Sequence, residues 1–122
     1  MSAVIDYISL QTGTQHEILK FLYDYLSAFE GMSAKIKYKI PFYYNKSWIC
    51  YTNPVKKDGI ELAFVRANEF TTDFPELDFR GRKQVGGIII HDLEDLTDEI
   101  EMIVTHAIEI DRDKPYGSKR VK

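Results

Sequence analysis

The chain has 122 residues, 16 Lys and Arg against 19 Asp and Glu, a net charge of −3, one cysteine and 44% hydrophobic residues. One domain of this length buries roughly two-thirds of the surface its unfolded form exposes, so it needs neither disulfides nor a structural metal, and the lone Cys50 excludes an intramolecular disulfide and any multi-cysteine zinc site. With no run of about 18 apolar residues and no basic-then-apolar N-terminus, the expectation is a soluble, reduced, cytoplasmic domain without membrane span or signal peptide.

Val4, Ile5, Ile8 and Leu10 have helical spacing over a segment too short to be stable alone, so it must pack on something. Thr12-Gly13-Thr14 interrupts it, and Thr14 with Glu17 is a capping-box signature. Ile18, Leu22, Tyr25, Leu26 and Phe29 then recur at i, i+4, i+7, i+8 and i+11, predicting a helix over about residues 15–30 that Gly31 ends. From Ala34 the period becomes two: Lys35, Lys37 and Lys39 alternate with Ile36, Tyr38 and Ile40 in one strand that Pro41 ends or marks as an edge. Ser47 to Thr52 reads as another strand. Asn53-Pro54 and Asp58-Gly59 bracket a turn, and Ile60 to Arg66 is a strand with Ile60, Leu62 and Phe64 on one face. Phe70 to Arg82 is a loop pinned by Phe74, Leu77 and Phe79. Gln84 to His91 is a strand whose Val85, Ile88, Ile89 and Ile90 suit burial on both faces, hence a central position.

The last helix starts near Asp95 or Thr97, with Ile100, Ile103, Val104, Ala107 and Ile108 as its buried stripe. Asp98, Glu99 and Glu101 occupy its first turns, where the helix dipole favours anions. The order helix, strands, helix predicts an α+β fold: a mostly antiparallel sheet of about five strands, with N- and C-terminal helices on one face. Residues 1–111 form the domain and 112–122 a basic, disordered tail. Asp92 to Asp111 carries eight carboxylates and no Lys or Arg, the tail carries +4, and residues 1–91 carry +1. So near-neutral a body argues against a nucleic-acid partner.

Ile5-Asp6-Tyr7-Ile8 before the long helix, Lys39-Ile40-Pro41-Phe42, Lys56-Lys57 leading into Gly59-Ile60-Glu61-Leu62-Ala63-Phe64, and Gly81-Arg82-Lys83-Gln84 before an isoleucine strand and acidic helix form a recognisable series. Over about residues 3–111 the chain resembles the bacterial YdhG-like family, a domain of unknown function. The matched positions are mostly core and turn residues. After Lys57 many relatives carry a histidine where this chain has Asp58, so no role for that histidine carries over. The resemblance implies helices against an antiparallel sheet, and some bacillar relatives are described as frataxin-like iron chaperones.

Three patterns carry candidate chemistry. Glu94, Asp98, Glu101 and Thr105 fall at i, i+4, i+7 and i+11 opposite the isoleucine stripe, so three carboxylates together offer weak ligands for iron, with His106 at the edge of that ridge. The alternative is the ordinary polar face of an amphipathic helix. Tyr38, Phe42, Tyr43, Tyr44, Trp48 and Tyr51 crowd residues 38–51 beside Lys39 and Lys46, either as sheet core or, through Tyr43, Tyr44 and Trp48, as a surface for a protein partner or a homodimer. A single-stranded nucleic-acid platform would need those rings on one face next to a basic groove, and the +1 body argues against it, so no nucleic-acid partner is expected. Arg80, Arg82 and Lys83 around Gly81, with Arg66 in reach, suit a phosphate or carboxylate, or else form a solvated turn. Cys50, flanked by Trp48, Ile49 and Tyr51, reads as a buried structural thiol, and no catalytic triad or nucleophile elbow is present. The expectation is a non-enzymatic binding protein: an iron chaperone first, an interaction module or small-anion binder otherwise.

Overall fold

The computed structural model describes residues 3–56 and 58–115; the tail from 116 onward lies outside the described residues. α1 (Ala3–Ser9) leads into α2 (Gly13–Ser27), five strands follow as β1 (Ser33–Lys37), β2 (Ile40–Tyr44), β3 (Trp48–Val55), β4 (Gly59–Phe64) and β5 (Gly86–Ile90), and α3 (Asp98–Asp113) closes the chain. Every strand pairs antiparallel with its sequence neighbour in the order β1-β2-β3-β4-β5. This is the expected α+β fold. Among the described residues no helix is long and apolar enough to cross a membrane.

Both long helices bury the predicted stripes: Ile18, Leu22 and Leu26 from α2, and Ile100, Ile103, Val104, Ala107 and Ile108 from α3. They pack with Val4 and Ile8 of α1 on Tyr43, Cys50, Ile60, Leu62, Phe64 and Ile90 of the sheet. The capping box expected at Thr14 is not formed. Thr12 is the residue before α2, its side chain makes no cap bond, and Thr14 already lies inside the helix. His16 ties the two N-terminal helices instead, through Nδ1 at 2.9 Å from the Ile8 carbonyl oxygen.

The single strand expected over residues 34–40 is a hairpin. Tyr38 and Lys39 both adopt left-handed backbone, φ 54° and 69°, between the closing pair Lys37 and Ile40. This is the two-residue turn with positive φ at both centres whose twist matches the flanking strands, made here without Gly or Asn. Because Lys37 and Ile40 close it as a hydrogen-bonded pair, Ile36 and Pro41 form a non-hydrogen-bonded pair, and pairing to β3 begins only at Phe42. Pro41 therefore sits inside a strand with no ladder bond lost.

The isoleucine strand is not central. β5 lies at one edge, with Ile89 40% exposed, and β4 is the strand buried along its whole length. A loop, not a sixth strand, covers the outer side of β5: Asp78 and Gly87 exchange N–H···O bonds of 2.8 and 3.0 Å.

The C-terminal end of α3 is clasped to the β2–β3 turn. Buried Asp111 accepts hydrogen bonds from the Lys46 N–H at 2.8 Å, the Ser47 N–H at 3.2 Å and the Ser47 hydroxyl. Arg66, also buried, has Nη1 3.9 Å from Asp111 and Nη2 2.7 Å from Glu69. Arg66 is thereby engaged in the clasp, away from Arg80 and Arg82.

Candidate functional site

Side chains alternate across a strand, so sending Ile60, Leu62 and Phe64 toward the helices sends Glu61 and Ala63 to the other face of the sheet. The register carries that face outward: Ala63 pairs with Tyr51 and Gly87, Tyr51 with Phe42, and Phe42 with Lys35, while Glu61 pairs with Asn53 and Ile89. Among the described residues the three α-helices pack on the opposite face. It holds two connected features, an aromatic cluster over β1–β3 and a group of cations over β3–β5.

Phe42 is the floor of the cluster. It stacks on Tyr51 at 4.7 Å between centroids and meets the Trp48 ring edge-on at 5.6 Å, and Trp48 meets Tyr44 at 5.0 Å. Lys37 Nζ stands 4.8 Å from the Trp48 centroid and 5.4 Å from that of Tyr38, and Lys35 Nζ 5.8 Å from that of Tyr44. Tyr44, Trp48 and Tyr51 are half-buried and Tyr38 is 79% exposed. Tyr43 does not join them. It points into the core with no exposed surface, and desolvation pushes its hydroxyl pKa far upward.

The cations are set by a second turn of the same kind. Arg80 and Gly81 have φ of 54° and 78°, and the Arg82 N–H donates to the Phe79 carbonyl at 2.8 Å. The turn delivers both arginines to Glu61, which is 1% exposed: Arg82 Nη2 lies 2.7 Å from one carboxylate oxygen and Arg80 Nη1 3.3 Å from the other. Arg82 Nη1 also donates to the Tyr51 hydroxyl at 3.4 Å, joining the two features. Burial alone would lower the Arg82 pKa, but the hydrogen bond and charge of Glu61, with Tyr51, outweigh it and the net shift is upward. Gly87 makes room for this. A Cβ there would collide with the Glu61 carboxylate. Lys83 is exposed and belongs to neither feature.

Beside Arg80 the face sinks into an open concavity of about 500 Å³, lined by Asn53, Val55, Lys56, Arg80, Ile89 and His91. No carboxylate lines it. Arg80 is 47% exposed and uses one of its five N–H donors on Glu61. Sequence reasoning missed Asn53 and Lys56, three residues apart, and their proximity to His91, which lies far along the chain. One signal was available: residues 31–57 hold six lysines and no acid, while the rest of the first 91 residues hold five basic and ten acidic side chains. The +1 total conceals that division.

The acidic ridge is divided. Asp98 and Glu101 line a groove of about 430 Å³ with Thr72, Thr105 and Glu109, but Glu94 sits in the separate 3₁₀ turn Leu93–Asp95, ahead of the helix. The helical spacing that would align it does not run through Leu96 and Thr97. His106 is held by the loop beside it, its Nε2 accepting from the Thr71 N–H at 3.1 Å and its ring edge-on to Phe70 and Phe74. Among the described residues no group of three or more His, Cys, Asp or Glu side chains is arranged to hold a metal ion. Cys50 is fully buried and desolvation holds its thiol far above the ordinary range.

No protein-family model, curated protein or solved structure matches the chain.

Proposed function

We propose that this chain is a non-enzymatic binding protein that takes an anionic ligand on the open face of its sheet, anchored in the concavity of Asn53, Lys56, Arg80 and His91. The observation that supports this reading is the charge arrangement. Glu61, the carboxylate beneath the arginines, is buried and doubly paired, so the surface above it presents cations and an amide with no opposing acid in the lining. A guanidinium with free N–H donors beside an ammonium suits phosphate or carboxylate oxygens. Thermal unfolding with millimolar pyrophosphate tests it: a ligand at about 100 times its Kd stabilises by roughly 2.7 kcal/mol. Lys56→Gln with His91→Gln should abolish the shift and Lys20→Gln on α2 should keep it; no shift in the wild type refutes the reading.

A second reading is weak iron handling of the frataxin-like kind, which the proposed YdhG-like membership implies. It rests on Asp98, Glu101 and Glu109 sharing one groove of α3. Iron titration of an Asp98→Asn, Glu101→Gln, Glu109→Gln variant decides it, and unchanged affinity removes it. A protein partner or a second copy on the aromatic strip competes for the same surface as the anion.

A further inference from the structure

We infer that the anionic ligand is single-stranded nucleic acid, bound with bases against Tyr44, Trp48 and Tyr51 and phosphates among Lys35, Lys37, Lys56 and Arg80; this rests on the anion-binding reading above. Sheet faces that bind single strands without sequence preference combine aromatic rings, on which any base can stack, with cations that follow the backbone. Both are present on one face here and are joined through the Arg82–Tyr51 contact. The rings are open from the solvent side. Lysine ammonium groups stand over Trp48 and Tyr44 at 4.8 and 5.8 Å, where a buried ring would have apolar neighbours. A flexible lysine can leave that ring face to a base and carry its charge to the adjoining phosphate.

Net charge does not oppose this. At physiological salt, exposed charges act over about 8 Å, so a ligand responds to the face it touches. That face draws on the acid-free, six-lysine segment of residues 31–57, while α3, which carries most of the acidic run of residues 92–111, packs on the opposite side of the sheet. The dimensions also fit. Four strand spacings of about 4.8 Å make the face roughly 19 Å wide, suited to a site of about four nucleotides. The bases would meet a sheet face and not a helix able to enter a duplex groove, which argues for single strands. An acidic peptide is less well served, because the clustered rings form no deep pocket for an anchoring side chain.

The test is anisotropy of a labelled oligothymidine of about twelve nucleotides, read together with the fluorescence of Trp48, the only tryptophan. Binding should quench Trp48. With four phosphate contacts it should weaken about 50-fold between 50 and 200 mM salt. Trp48→Leu should lose about tenfold in affinity at unchanged salt dependence, while Lys35→Gln with Lys37→Gln, which removes two cations and leaves the rings in place, should flatten the salt dependence. Pyrophosphate and polyphosphate binding as tightly as the oligonucleotide, with Trp48 unquenched, would overturn the nucleic-acid assignment and leave the anion reading standing. Failure of all three would remove both. Tighter binding of duplex DNA or of polyglutamate would likewise overturn it.

Discussion

Removing the Asp111 carboxylate separates two physical effects of opposite sign. Asp111 lies in the last turn of α3, where a negative charge opposes the helix dipole by about 0.3–1 kcal/mol, so local electrostatics alone would make Asp111→Ala stabilising. The clasp says the reverse. The carboxylate is 1% exposed and accepts from two backbone N–H groups and the Ser47 hydroxyl, with Arg66 at 3.9 Å. Truncation removes the acceptor shared by two backbone N–H groups and the Ser47 hydroxyl and the carboxylate beside Arg66, and breaking a buried charged contact of this kind costs about 3–5 kcal/mol. For a domain of this size each kcal/mol moves Tm by roughly 4 °C, so a fall of roughly 12–20 °C is expected. Asp111→Asn, which keeps one acceptor oxygen, should lose about half as much. Exposed Asp113→Ala, two residues on, should stay within about 0.5 kcal/mol. Urea unfolding followed by Trp48 fluorescence measures all three. A loss below about 1 kcal/mol in Asp111→Ala, or any gain, would refute the reasoning.

Gly87→Ala should destabilise by about 1–3 kcal/mol through the collision of its Cβ with Glu61, and in a double-mutant cycle Glu61→Ala should recover at least about 1 kcal/mol of that; strict additivity would show that the glycine is needed for another reason. Alkaline pH should destabilise the protein with a slope that steepens once. In the unfolded chain the thiol and the phenol titrate near 9.0 and 10.0, and burial raises Cys50 and Tyr43 well above these values, so the native state keeps protons that the unfolded state releases. Stability is then level below pH 9 and falls above it, by up to about 1.4 kcal/mol per pH unit from Cys50 and more steeply above pH 10, where Tyr43 and the partly buried Tyr7 and Tyr25, also raised by desolvation, contribute. Cys50→Ala should erase the decline between pH 9 and 10, and an identical decline in that variant would contradict it.

Both long helices were readable because a buried stripe repeats over nine residues in each, enough for Ile100 to Ile108 to leave no competing period. The first hairpin was not. Its alternating Lys and apolar residues continue through Tyr38 and Lys39, and neither residue advertises a turn as Gly or Asn would. The isoleucines of β5 signalled burial, but the sequence does not distinguish cover by strands from cover by the loop around Asp78. The site was half visible. Arg80 and Arg82 stand out beside Gly81, yet their partner Glu61 looks like any strand glutamate, and only the register sets it beneath Gly87. Tyr43 and Tyr44 are adjacent letters with opposite fates, decided by which pleat each occupies. Glu94 fails to align with Asp98 because a 3₁₀ turn breaks the helical count between them.

Strand pairing restricted to sequence neighbours has a kinetic consequence. The connections β1–β2, β2–β3 and β3–β4 are short, so that part of the sheet is built from local contacts, while residues 65–85 separate β4 from β5 and α3 reaches back to the β2–β3 turn across the chain. The contacts of Asp111 join residues 64 and 65 positions apart, so their formation carries a large loop-closure cost, and if they are absent from the transition state weakening them shortens the lifetime of the folded state without delaying its formation.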